Sequence, residues 1–259
     1  MKIRSITAPN PGVFTLDGTR TWLLGHTAVI DPGPAIHSHV RAIAQAMPRL
    51  ELILITHRHA DHAPAGIPLK EATGALIYAP AEVLDDGQVD RRLSGGEIID
   101  IEDEQLEVIS TPGHTYEHVC FLSDDGDLFT GDTILGSGTT TIFPPDGNMR
   151  DYIESLRLLR SRNPRHIHPA HGPSRDDALA LIDEYISHRL AREQQLIKAI
   201  RGGASTIPRM RQLVYPVLDE RLQDAAEIQI AAHLIKLGEE KVVSERNGMY
   251  EVAPLSELR

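Results

Sequence analysis

Cysteine is almost missing from this 259-residue chain, with Cys120 the only one. No intramolecular disulfide can form, so stability must come from a packed core, and a reducing compartment is expected. Aromatic residues make up 4%, few for the stacking platforms on which single-strand binders lay their bases. No stretch reaches the ~18 continuous apolar residues that a membrane span needs. Met1 to Gly12 contain two prolines and no apolar core of an export signal. These absences predict a cytoplasmic protein with no membrane partner. Positive charge is also short: the net charge is −11, with 16 Lys+Arg against 27 Asp+Glu in residues 1–189 and 10 of each in residues 190–259. Such a balance argues against a broad nucleic-acid footprint.

What is present fits a folded α/β protein, with 41% hydrophobic and 24% charged residues. Short β-rich runs alternate with turn signals at Thr19–Leu24, Ala28–Ile30, Leu52–Ile55, Ala75–Tyr78, Ile98–Ile101, Leu106–Ile109, Val119–Ser123 and Leu128–Thr130. Helices are predicted at Ile36–Met47, from Pro64 and at Asp151–Arg160. Strands that mostly follow one another, with helices between some, suggest a sheet sandwich with outer helices. A capping-box-like start at Ser174 leads into a helix stopped by Gly202-Gly203. Beyond it, helices from Pro208 and over Glu220–Leu237 precede two strand-like runs joined by Asn247-Gly248, a strong hairpin signal. Residues 1–202 and 203–259 are therefore expected to form two domains, the second winged-helix-like.

The densest chemistry lies in Leu52-Ile-Leu-Ile-Thr-His57-Arg-His59-Ala-Asp61-His62, a buried-type strand running into a polar turn. His57 and His59 project to one side of an extended turn, and Asp61 and His62 can face a neighbouring point. That spacing serves two adjacent metals. Three more metal-binding types follow strand-like runs: His114 in Thr-Pro-Gly-His-Thr, Asp132 in Phe-Thr-Gly-Asp-Thr and His171 in His-Pro-Ala-His-Gly. Loops at one edge of a rigid sheet can bring such distant residues together.

This series resembles the ligand set of the metallo-β-lactamase superfamily. The resemblance implies the αββα sandwich, with His57, His59 and His114 on a first metal, Asp61, His62 and His171 on a second, and Asp132 bridging both. It also implies that Asp31, in Ile-Asp-Pro-Gly, supports the ligand loop without binding metal. Gly131-Asp-Thr-Ile-Leu-Gly-Ser-Gly-Thr-Thr140 and Tyr185-Ile-Ser-His-Arg189-x-x-Arg192-Glu-Gln-Gln195 are similar to the β-lactamase-like protein 2 subfamily, a branch that includes an endoribonuclease acting on single-stranded RNA.

Imidazole and carboxylate donors suit two Zn²⁺ ions, and also accept iron or manganese. Two cations sharing one water would lower its pKa to around neutrality and supply a bridging hydroxide. Asp132 and Asp61 are the expected catalytic carboxylates, and Asp61 is one of two sources for the leaving-group proton, a metal-bound water being the other. Of the remaining residues, His118 is expected to be a satisfied core histidine. His166 and His168 should serve surface or packing roles, His37 and His39 should face solvent, and His188 and His233 should pack in C-terminal helices. Arg58 is expected to point outward. Thr139, Thr140 and Thr141 either line the site or cap its loop. The favoured function is cleavage of single-stranded RNA gripped by Arg189, Arg192, Arg201, Arg209 and Arg211; the alternatives are hydrolysis of a small thioester, lactone or lactam, and metal-sensing regulation through nucleic-acid binding. In the second reading the C-terminal unit merely covers the metal site, and in the third its neutral charge favours packing or a homodimer contact over nucleic-acid binding.

Overall fold

The computed structural model describes residues 1–253. Alternation of apolar residues builds its centre. In β2 (Arg20–Leu24), Trp22 and Leu24 point one way and Leu23 the other. Such a period-two pattern buries both faces of a strand. The first sheet, in spatial order, is β1 (Ile3–Thr7), β2, β3 (Ala28–Ile30), β4 (Leu52–Leu54), β5 (Leu76–Pro80) and β6 (Arg91–Leu93). Its first pairings are antiparallel, and those from β3 onward are parallel. The second sheet comprises β7 (Ile98–Ile101), β8 (Glu104–Ser110), β9 (Val119–Ser123), β10 (Asp127–Gly131) and β11 (His166–Pro169), antiparallel except between β10 and β11.

Trp22, Leu54, Val108, Phe121 and Phe129 meet between the sheets. Helices α1 (His37–Ala46) and α2 (Gly66–Thr73) cover the outer face of the first sheet, where Val40, Ile43 and Leu69 pack on Val29, Ile53 and Ile77. Helices α3 (Met149–Ser161) and α4 (Ala178–Arg201) cover the second, packing Tyr152, Leu156 and Ile182 on Cys120, Leu128 and Ile167. The result is the expected αββα sandwich.

Helix α4 is 24 residues long and reaches beyond the sandwich. Its Leu196, Ile197 and Ile200 join Met210 of α5 (Ile207–Val214), Ile230 and Leu234 of α6 (Gln223–Glu239), and Val243 of β12 (Val243–Arg246). β12 pairs with β13 (Met249–Val252) through a two-residue turn in which Asn247 and Gly248 have φ of 53° and 76°, as a type I′ hairpin requires. Helix, helix and hairpin form a winged-helix unit against α3 and the sandwich.

Several local expectations need correction. β1 and β6 escaped the strand pattern because β1 is an edge strand without a buried residue and β6 begins with two arginines. The capping box at Ser174 does not form: α4 starts at Ala178 after Asp177, which makes no capping hydrogen bond. Its carboxylate is instead held by Arg175. The second C-terminal helix is preceded by a 3-10 turn over Glu220–Leu222.

Candidate metal centre

β4 ends at Leu54, and the chain turns sharply through Thr56 into the His57–His62 loop. Asp31, at the end of β3, holds that turn by accepting from Thr56 N–H (2.8 Å), Thr56 Oγ1 and His62 Nδ1 (2.8 Å). Thr56 Oγ1 in turn lies 2.9 Å from His57 Nδ1. Two ligand-type rings are thereby oriented through one carboxylate, as the outer nitrogens of metal-binding histidines commonly are. His114 Nδ1 faces the Thr141 carbonyl at 3.0 Å, and His171 Nδ1 faces that of Gly18 at 3.3 Å. Each ring so held donates from Nδ1 and turns Nε2 inward.

The inward atoms form two adjoining groups, His57, His59, His114 and Asp132, and Asp61, His62 and His171, with the ligand atoms of each within 4.8 Å of one another. In the first, His57 Nε2 and His114 Nε2 approach His59 Nδ1 at 2.9 and 3.0 Å. Asp132 spans both groups: Oδ2 is 3.5 Å from His114 Nε2, while Oδ1 is 3.4 Å from His62 Nε2 and 3.2 Å from His171 Nε2. Asp61 Oδ2 lies 3.2 Å from His171 Nε2. All seven residues expected from the sequence are thus brought together.

Gly131 makes the position of Asp132 possible. Its φ is +48°, and a Cβ there would sit 2.6 Å from Thr56 Oγ1 and 2.7 Å from His118 Nε2. Only glycine adopts that conformation at so close an approach without strain.

Electrostatics divide the cluster. Burial opposes charge on His62, but Asp132, Asp61 and Asp31 outweigh it and hold its pKa well above the usual imidazole value. Burial likewise opposes charge on His171, which Asp132 and Asp61 raise to about 9. Burial drives His57 down, helped by neighbouring His62 and His118, and takes His114 to about 4. Asp61 and Asp132 resist the upward push of burial, because His62 and His171 stabilise their charge and keep both below the usual carboxylate range.

The donor set fits divalent cations. His62 Nε2 and Asp132 Oδ1 are buried without a hydrogen-bond partner among the described residues, an arrangement that costs free energy unless something else engages them. Nitrogen and carboxylate donors in two groups match a dinuclear site.

Other residues depart from the sequence reading. His39 is buried rather than solvent-facing, with Nε2 2.9 Å from Thr21 Oγ1. Arg58 does not point freely outward: it pairs with Glu117 (2.9 Å) and Asp146 and lies 4.6 Å over the Tyr116 ring. Glu117 also accepts from Arg58 N–H at 3.0 Å, clamping the ligand loop from the outside. Nothing in the sequence pairs Arg58 with Glu117, 59 residues away. His118 is a buried core histidine as expected, and its Nε2 also accepts from Asp132 N–H at 3.3 Å. His168 packs on Trp22 and Phe129, and His166 pairs at the surface with Asp176.

Among the proposed strand-gripping arginines, Arg189 is fully buried and donates to the Thr140 carbonyl at 2.6 Å. Arg192 lies 4.0 Å over Tyr215 and donates to Val214 O, and Arg211 pairs with Glu227 at 2.8 Å. Arg201 and Arg209 are exposed. Among the described residues, no lysine or arginine lines the cleft, of about 530 Å³, that opens over His59, Asp61, His114, Asp132 and His171. Thr139, Thr140 and Thr141 do line it, and the Thr140 hydroxyl also caps the Asp132 carbonyl at 2.7 Å.

Five histidines and two aspartates gathered at the strand ends of an αββα sandwich define a metal-dependent hydrolase. The chain belongs to the metallo-beta-lactamase superfamily, whose profile it matches over residues 15–171, and it carries a beta-lactamase associated winged helix domain over residues 206–249. It is 35% identical over 215 residues to a beta-lactamase-like protein 2 homolog of Caenorhabditis elegans, covering 77% of this chain and 71% of that protein. An atrochrysone carboxyl ACP thioesterase of Aspergillus chevalieri is 32% identical over 272 residues, covering 95% and 84%. A beta-lactamase domain protein from Burkholderia ambifaria has the same fold, with a TM-score of 0.81 at 20% identity over 97% of this chain and 91% of that one.

Proposed function

We propose that the chain hydrolyses an acyl thioester or ester at a dinuclear zinc site. The observation that carries this reading is the cleft: it ends on the two ligand groups and is otherwise walled, among the described residues, by apolar and hydroxyl side chains and the Gln229 amide, without a cation. Beyond the ions, the flanking phosphates of a phosphodiester strand would lie unpaired against apolar and hydroxyl surface, which is costly. The thioesterase relative supports an acyl substrate.

His57, His59 and His114 would hold one ion, Asp61, His62 and His171 the other, with Asp132 shared. When bound, the ions would make water nucleophilic near neutral pH and polarise the scissile carbonyl. The chain's own residues do the rest. Asp31, Thr56 and the Thr141 carbonyl fix the imidazoles, so little reorganisation accompanies the reaction. Asp61, a quarter exposed and lining the cleft, turns Oδ2 toward Thr19 Oγ1 and toward its own ligand group, 3.2 Å from His171 Nε2, where that oxygen would meet the ion. Its Oδ1 is therefore assigned to take the proton from the attacking water and return it to the leaving sulfur or oxygen. Ser137 and Thr139 stand at the mouth, where their hydroxyls can donate to the substrate. The division at residues 202 and 203 separates this chemistry from a unit that closes the cleft. A lone thiol such as Cys120 suits the cytoplasm.

The test is a turnover screen of zinc-loaded protein against an acyl thioester, a lactone, a cephalosporin and a short RNA. Thioester or lactone hydrolysis without RNA cleavage is expected. Cleavage of RNA alone would replace this substrate with the nuclease one, and no turnover of any would favour a regulatory metal site.

A further inference from the structure

We infer that the outer cleft is a specificity slot for an acyl chain that carries a hydrogen-bond acceptor oxygen, and that Gln229 reads that oxygen. The inference rests on the acyl reading above.

One wall comes from the loop before β2. Its base is tied to the metal centre, since Thr19 Oγ1 donates to Asp61 Oδ2 at 3.0 Å and the Gly18 carbonyl faces His171 Nδ1. Asn10 and Thr15 brace it internally, with Thr15 Oγ1 donating to Asn10 O at 2.6 Å. The tip thereby holds Val13 and Phe14 at the mouth, 52% and 56% exposed, with Phe14 edge-on to Phe143 at 6.1 Å. Large apolar side chains held in water beside a reactive centre are surface that a ligand would cover. The facing wall belongs to the C-terminal unit: Tyr215, Leu218 and Leu222. Tyr215 is fixed beneath the Arg192 guanidinium. An apolar chain entering between the walls leaves water on both sides, and each methylene buried is worth about a four-fold gain in affinity.

Away from the metal groups, Gln229 of α6 breaks the apolar pattern. It lines the cleft, is 7% exposed, and its Oε1 accepts from Ile142 N–H at 3.1 Å. That bond fixes the amide's orientation, leaving the Nε2 donors buried without a partner among the described residues. A donor so placed is under-satisfied until an acceptor arrives. An oxo or hydroxy group along the substrate chain supplies one, whereas a plain alkyl chain leaves the penalty in place.

The experiment compares plain and oxo-substituted acyl thioesters of equal length, over a series of lengths, on the zinc-loaded full-length chain. Wild type should favour the oxo substrate by roughly ten-fold in kcat/KM, the scale of one hydrogen bond, and should gain with chain length until the slot is full. Gln229→Glu keeps an acceptor for Ile142 N–H and removes the donor, so the preference should collapse toward unity. Leu222→Ala and Phe14→Ala should flatten the length dependence. Because each readout is a ratio between substrates on one protein, partial loss of folded enzyme does not mimic it. Equal turnover of oxo and plain chains by wild type, or a preference retained in Gln229→Glu, overturns the role of Gln229. A length series with no trend overturns the slot, and both results leave the acyl reading standing. A wild type that turns over no thioester removes that reading and this inference together.

Discussion

At the scale of single residues, the centre turns on Asp132, whose two oxygens face different ligand groups. Asp132→Ala removes the one carboxylate among the described residues that reaches both groups, so the zinc content, measured by elemental analysis after dialysis, should fall from about two equivalents to one or fewer. Protonation gives a second handle. In metal-free protein His171 has its pKa raised from 6.5 to about 9. A base raised on folding stabilises the fold fully below pH 6.5 and loses that contribution as pH climbs through about 9. The shift corresponds to at most about 3 kcal/mol. Metal-free protein should therefore melt several degrees lower at pH 9.5 than at pH 6.5, and zinc loading at pH 7 should release protons, read as buffer-dependent calorimetric enthalpy. A metal-free melting temperature that does not fall across that range would remove this account of His171. His57, His59, Asp61 and His62 were readable because they fall within six positions, and His114, Asp132 and His171 because each sits in a glycine-containing turn after a strand. His39 was not: its partner Thr21 comes from the neighbouring strand, and Gly33 leaves room for the ring.

At the scale of elements, α4 shows why charged residues misled the sequence reading. Tyr185, Arg189, Glu193 and Leu196 lie along one buried face of the helix, yet a charged residue reads as surface until its partners are known. The partners are on α6 and the loop after β10. Glu193 meets Lys236 at 3.0 Å and His233 at 3.5 Å, Arg189 grips Thr140 O, and Tyr185 Oη accepts from Leu135 N–H at 3.0 Å. The loop that carries Asp132 into the site is thus held by the helix that continues into the C-terminal unit. Arg189→Met keeps the volume but leaves the Thr140 carbonyl unpaired, at a cost of about 1–3 kcal/mol. Hydrogen exchange should accelerate in residues 133–143 more than in β8 or β9, and uniform acceleration would show that Arg189 supports the fold generally rather than this loop. Gly131→Ala is expected to be harsher, since Thr56 and His118 leave no room for a methyl group. It should cost zinc affinity as well as stability, with elemental analysis and thermal melts as the checks.

At the scale of the whole molecule, sequence patterning gave away the layers, because strand alternation and the Asn247-Gly248 turn are local signals. It could not show that the N-terminal loop and the C-terminal unit meet over the same cleft, which depends on contacts between segments some 200 residues apart. Charge is the property that acts across that distance. The net charge is −11, and two divalent cations would still leave it negative. A negative enzyme repels anionic substrates through a field that reaches about 30 Å at 0.01 M salt but only about 8 Å at 0.15 M. If an anionic thioester enters the cleft and is held there by apolar contacts, raising the salt screens the repulsion without weakening the grip. kcat/KM for that substrate should then rise between those two salt concentrations, while an uncharged ester of the same acyl chain changes little. Binding of RNA through phosphate contacts has the opposite sign, because salt suppresses the counterion release that drives it. Charge reversal of exposed Arg209 to glutamate should leave thioester turnover unaltered, since the cleft is lined without it. A kcat/KM for the anionic thioester that falls steeply with salt, together with loss of activity in Arg209→Glu, would show that a cationic surface captures the substrate and that the apolar cleft is not what selects it.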